Sequence, residues 1–236
     1  MKLYHPEIEY QIELNENTIT TLVIESPPFL GKFLQELTSQ SQGDEGNFIL
    51  SDDNGKELSI SKNLTVIIDY FSLDFNQKKI QNSLLSKVKE RISSEDYVLD
   101  NANLQNILLQ YFDKLAQEFD YPVDYEEAID TSSLLKLAGF HINVESMSFL
   151  ERLIDYLTLL QEICDIKLFC FYSLKAFLTQ EDYSLFVAHC LQHKIRILLI
   201  ENNIGTNKDT HEKICIIDKD LCEIIPNEID SENGRC

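Results

Sequence analysis

The sequence predicts an α/β protein: a head of strands and helices with a helical domain inserted into it. Three observations carry that expectation. Strand-length β-branched runs stand near both ends of the chain, each followed by a turn and a helix. Between them, residues 76–165 change to helical spacing. The late runs are apolar throughout, as strands buried on both faces of a partly parallel sheet must be.

Residues 18–25 (TITTLVIE) read as a strand that stops at Ser26-Pro27-Pro28. Phe29, Phe33, Leu34 and Leu37 then recur at helical intervals. A Gly/Asp-rich stretch, 42–46, leads to FILSD, Asn54-Gly55 and KELSIS, and Asn-Gly between alternating segments is a hairpin signal. Residues 64–68 (LTVII) read as a buried strand followed by Asp69. In the helical block, Leu104, Ile107, Leu108, Tyr111, Phe112, Leu115 and Phe119 make one long apolar stripe, and Phe149, Leu150, Leu153, Ile154, Leu157 and Leu160 another. Leu134, Leu135 and Leu137 mark a short helix stopped by Gly139. Strands return at 167–172 (KLFCFY) and 195–200, separated by a helix that Thr179 opens with Asp182 three residues on. ICIID and LCEI, around Asp218 and Asp220, read as a closing hairpin, and the chain from Pro226 has the polarity of a frayed tail. The expected domains are a discontinuous α/β head, 1–75 with 166–236, and a helical insertion, 76–165.

Composition narrows the function classes. The 236 residues are 44% hydrophobic and 25% charged, which excludes a low-complexity or collagen-like chain. Forty acidic residues against twenty basic ones leave a net charge of −20, so nucleic acid must meet a local basic surface or be repelled. Cys164, Cys170, Cys190, Cys215, Cys222 and Cys236 show no C-x-x-C spacing; free thiols in a reducing cytoplasm are expected. No signal-peptide order and no apolar run of membrane-spanning length stand in the sequence.

Four local patterns invite chemistry, each with a plainer reading beside it. The strand-turn-helix ESPPFLGKF lies where a phosphate loop would sit, but it lacks G-x-x-x-x-G-K-[ST], and its two prolines remove N–H donors. Asp69 could hold magnesium in such an enzyme, or simply end a strand. Glu118, Asp120, Asp124, Glu126, Glu127 and Asp130 put six carboxylates within thirteen residues, chemistry that suits a hard cation such as calcium and equally suits a solvated link between helices. Lys78, Lys79, Lys87 and Lys89 share one broad face of a helix whose other half is Ile80, Leu84, Leu85, Val88 and Ile92. That face is an ordinary solvated surface or, repeated about an oligomer axis, a phosphate-binding one. His189 and His193, four apart, could share a metal, but HCLQH lacks the glutamate of H-E-x-x-H.

Taken together, several segments resemble the small type II-A CRISPR-associated proteins of the Csn-two family, which accompany the integrase in spacer acquisition. TLVIESPPFLGKFLQEL resembles the family's opening strand and helix, VDYEEAIDTSSLLKLAGFHIN the acidic approach to its helical region, and SLKAFLTQED, ILLIEN and IIDKDLCEI its closing α/β part. The resemblance runs from about residue 12 to 225. It implies a degenerate P-loop-like α/β head with an inserted α-helical domain, assembled into a homotetrameric ring around double-stranded DNA with free ends and held by Ca²⁺. It implies no enzyme activity, a cytoplasmic bacterial location, and the CRISPR integrase and effector nuclease complex as partners. By position, Asp124, Glu126 and Glu127 fall on the family's calcium motif, with Glu118 and Asp120 close by; Pro122 departs from its pattern. The lysine face is the candidate DNA lining by its helical geometry alone. Residues 202–209, with Lys208, could also face DNA. The competing readings are a nucleotide hydrolase with a divergent phosphate loop and an acidic scaffold for basic proteins.

Overall fold

A computed structural model describes residues 1–126, 131–145 and 148–224, with the backbone alone for 131–133. In chain order the elements are β1 (Lys2–Tyr4), β2 (Ile12–Glu13), β3 (Ile19–Ile24), α1 (Pro27–Gln42), β4 (Ile49–Ser51), β5 (Glu57–Leu58), the single turn α2 (Ile60–Asn63) and β6 (Leu64–Ile67). The helices α3 (Lys78–Ile92), α4 (Val98–Ala116), α5 (Thr131–Ala138) and α6 (Phe149–Cys164) follow. Then come β7 (Leu168–Tyr172), α7 (Gln180–Gln192), β8 (Arg196–Glu201), β9 (Glu212–Ile217) and β10 (Glu223–Ile224).

The chain forms two compact units, Met1–Leu73 with Ser146–Cys236, and Asp74–Glu145. In the first, a six-stranded sheet runs β10-β9-β3-β8-β7-β6, parallel except for the β10 edge. All six residues of β3 are buried, which explains why it reads as a continuous run. Its two polar side chains are satisfied: Thr20 Oγ1 donates to the Glu13 carbonyl at 2.7 Å and Thr21 Oγ1 to Glu212 at 2.5 Å. One face packs on α1 through Phe29, Phe33 and Leu37, in a core that includes Leu22, Ile24, Leu198 and Ile200. Phe33→Ala there would cost about 3–5 kcal/mol. The opposite face meets α7, where Phe171 and Phe186 stack edge-on at 5.8 Å.

A small antiparallel sheet, β2-β1-β4-β5, completes the head. Its β4–β5 hairpin is the one Asn54-Gly55 predicts: Gly55 takes φ 80°, and the Asp52 carboxylate accepts from the Asn54 and Lys56 amides. The strands β1 and β2 are too short to show a period and went unread.

Two expectations change. The helical insertion, expected to run to residue 165, ends before α6. Leu153, Tyr156, Leu157 and Leu160 are buried, and α6 joins α7 through Thr158 Oγ1 against His189 (3.3 Å) and Gln161 Nε2 donating to the His193 carbonyl (3.3 Å). A helical stripe is silent about which neighbour covers it. The long stripe on α4 is the second correction: Leu104, Ile107, Tyr111, Leu115 and, beyond the helix, Phe119 are exposed, and no α4 residue is fully buried. Leu108, Leu109 and Phe112 form its half-buried side. The tail from Pro226 lies outside the described residues.

Candidate functional site

At the C-terminal edge of the parallel strands, where open α/β sheets bind ligands, β3 runs into α1. Ser26 caps that helix without a side-chain hydrogen bond, and prolines fill its first two positions. A crevice of about 300 Å³ opens there, lined by Glu25, Pro27, Leu30, Gly31, Leu34 and Tyr172 among others. Its charged wall is a carboxylate. Lys32, the cation of the lone Gly-Lys pair, is engaged by Glu7 instead, and a Cβ on Gly31 would meet open space, so that glycine makes no close cradle. Asp69 is a turn residue: its carboxylate accepts from the Phe71 and Ser72 amides at 3.0 and 3.2 Å, and a bond from the Ser72 side chain, with those amides, holds its pKa low. The chemistry of the crevice favours apolar or cationic groups over phosphate.

The lysine face lies on α3 in the helical unit. Lys78 and Lys79 are exposed in its first turn; Lys87 and Lys89 are half-buried near its end. Ile80 is buried on the side away from Lys78 and Lys89, and Lys87 follows it two turns on. Lys89 and Arg91 suit the negative end of the helix, but Lys78 and Lys79 stand on its positive end with no acid in that turn. From residue 78 to 94 five cations face a single acid, Glu90. Lys87, Glu90, Arg91 and Ser94 line a shallow pocket of about 390 Å³ at the far end.

The acidic residues follow α4. Tyr125 anchors their segment, its hydroxyl bonding the Leu109 carbonyl (3.2 Å) and Asp113 (2.5 Å) while its ring meets Phe112 at 5.5 Å. Asp124 and Glu126 flank that anchor and are exposed, as are Glu118 and Asp120. Glu127 and Asp130 lie outside the described residues. The oxygen donors suit a hard cation, but among the described residues no three His, Cys, Asp or Glu side chains come together as a metal cage. His189 and His193 do stack, centroids 4.2 Å apart, yet gain no third ligand among the described residues. The five described cysteines are free thiols.

The profile of one family, described as CRISPR-associated protein (Cas_Csn2), matches residues 40–221. The chain belongs to that family. Among solved structures, this Csn2-family chain is similar to Stu0660 of Streptococcus thermophilus, with a TM-score of 0.55 and 14% identity over 92% of this chain and 75% of that one. It also matches cbiO1 from Clostridium perfringens, part of the ABC transporter complex cbiONQ, with a TM-score of 0.49 and 10% identity over 94% and 83%. No sequence match was found among curated proteins. No helix among the described residues is long and apolar enough to cross a membrane.

Residues that sequence reasoning missed concentrate on the sheet face toward α7. Lys175 is buried; its Nζ pairs with Glu212, donates to the Asn207 carbonyl at 3.1 Å and lies over the Tyr183 ring at 5.0 Å. Glu201 accepts from the Lys175 amide at 3.2 Å. Around this ion network the segment 202–211 crosses from β8 to β9, clamped by Gln180, whose side chain bonds both the amide and the carbonyl of Lys208. Lys208 is exposed, on a backbone that α7 holds in place.

Proposed function

We propose that this Csn2-family chain is a non-catalytic subunit that binds double-stranded DNA without reading its sequence, as a homotetrameric ring that takes linear DNA by its free ends. The CRISPR-associated role follows from the family; the ring, the DNA and the calcium are this reading's own. One observation carries it: the charge segregation on α3, where Lys78 and Lys79 add to a helix's positive end and Lys87 and Lys89 extend the cations along it. An ordinary surface helix gains from acids in its first turn. Phosphate is the ligand that such an arrangement suits.

Duplex binding would then fall steeply with salt and ignore base sequence, since phosphate contacts position without specifying. The carboxylate wall of the α1 crevice supports a non-catalytic reading over a nucleotide hydrolase. Calcium enters as a bridge between copies, with Glu118, Asp120, Asp124, Glu126 and Glu127 drawn from more than one subunit, because exposed carboxylates brought face to face repel unless an ion lies between them. The integrase and the effector nuclease complex are the proposed protein partners, in a bacterial cytoplasm.

The test is a gel shift with linear and closed-circular duplexes, with calcium and with a chelator. Linear DNA shifted in calcium, with circular DNA left behind, is the expected result; equal retention of both forms excludes threading over ends. Calorimetry with ATP and magnesium should show no heat of binding, and a measurable affinity would restore the hydrolase.

A further inference from the structure

Three phenylalanines form an open cluster on the head. Phe71 follows β6, Phe149 opens α6, and Phe177 ends the 3-10 turn Leu174–Phe177 after β7. Their centroids stand 5.5 Å (Phe71 to Phe177), 5.8 Å (Phe71 to Phe149) and 6.5 Å (Phe149 to Phe177) apart. Phe71 is 71% exposed and Phe177 47%. Beneath them Tyr70 fixes the floor, 5.4 Å from Phe177, with its hydroxyl donating to the Tyr172 carbonyl at 2.6 Å. The cluster lines a cavity of about 330 Å³ with Ser148, Leu150 and Asp182. Rigid, contiguous, exposed aromatic surface of this kind marks an interaction site.

The charges around it select the partner. Asp182 lines the cavity. The Glu151 carboxylate lies on Ser148, accepting from its amide at 2.9 Å and its hydroxyl at 2.8 Å, and the Asp69 carboxylate accepts from the Phe71 amide. No lysine or arginine lines the cavity; the nearby Arg152 donates to the Leu73 carbonyl at 3.0 Å. Nucleic acid, which also stacks on aromatic rings, would bring phosphates toward three carboxylates. A second copy of this chain would bring the same acids and another −20 of charge. A guanidinium is attracted by both features at once, lying on aromatic faces and sharing its N–H groups with a carboxylate.

We propose that this cluster is a docking site for an arginine-bearing basic segment of a protein partner, with the guanidinium on the faces of Phe71 and Phe177 and within reach of Asp182. Large aliphatic side chains of the segment would fill the cavity beside Leu150. The site is separate from the α3 lysines and does not depend on DNA binding.

Calorimetry of the full chain with an amidated octapeptide alternating arginine and leucine tests it, against lysine–leucine and glutamate–leucine counterparts. The arginine peptide should bind best and the glutamate peptide not at all. Phe71→Ala and Phe71→Ala/Phe177→Ala should each weaken binding, the double variant about tenfold, while duplex DNA affinity and solution mass stay as in the parent. Phe71→Ala alone removes a largely exposed ring, and circular dichroism verifies its fold. Binding within twofold of the parent in both variants would place the peptide elsewhere on the acidic surface and overturn the site. So would absence of binding to the parent, or a fall in solution mass on Phe71→Ala, which would assign the cluster to a second copy.

Discussion

Lys175 is a cation in a place where cations are rare, and the reason is topological. The segment between β8 and β9 must cross β3 without a helix to cover it, and Lys175 holds that crossing by its bonds to Asn207 and Glu212. Removing the charge strands a buried carboxylate: Lys175→Met should cost about 3–5 kcal/mol in urea unfolding, and Lys175→Met/Glu212→Gln should recover a good part of it. Equal losses in the single and double variants would refute the pairing. Glu201, next to this network, gives a pH signature. Burial pushes its carboxyl from 4.5 up to about 7, against the pull of Lys175 and with Glu212 adding to the rise. The folded chain thus keeps a proton that the unfolded chain releases, so this group lowers stability as pH climbs from about 4.5 to 7. Glu201→Gln preserves an acceptor for the Lys175 amide and removes the titration. Its unfolding free energy in urea should gain on the parent's between pH 5 and pH 8, by roughly 1–3 kcal/mol at the upper end; a constant difference would reject the account. The Lys175–Glu212 pair did not stand out in the sequence, because its partners meet across 37 residues.

Elements were legible where the signal is local. Thr179 caps α7 by accepting from the Asp182 amide at 3.1 Å, and Asn54-Gly55 turns its hairpin, as three- and four-residue patterns allow. Allegiance was not legible. The stripes of α4 and α6 have the same period, yet one is half exposed and the other covered by α7. The helix α3 offers the sharpest test at this scale, since its stability and its proposed function call for opposite charges. Lys78→Glu/Lys79→Glu places acids on the positive end of the helix, where each is worth about 0.3–1 kcal/mol. We expect the variant to unfold no earlier than the parent and to lose most of its duplex affinity in a gel shift. Reduced stability with unchanged affinity would mean that these lysines serve the fold.

At the scale of the molecule the difficulty is electrostatic, since the proposed function asks a chain of net charge −20 to hold a polyanion. The charges are not spread evenly: five cations and one acid stand from residue 78 to 94, whereas Lys114 is the sole cation among ten acids from 95 to 130. One copy presents its basic helix face against the repulsion of its own acids. Several copies arranged about an axis would concentrate those faces on one side, with calcium offsetting the carboxylates brought together between copies. On the proposed function, assembly would be a condition of binding rather than an accompaniment. The fraction of duplex bound should therefore rise more steeply than the first power of protein concentration, and chelating calcium should lower solution mass and binding together. The slope of log affinity against log salt should exceed what the four lysines of a single chain can supply, about −3.6 at one phosphate each. A slope of that size or smaller, measured alongside simple one-to-one binding, would mean that single chains bind DNA and that the ring is not needed.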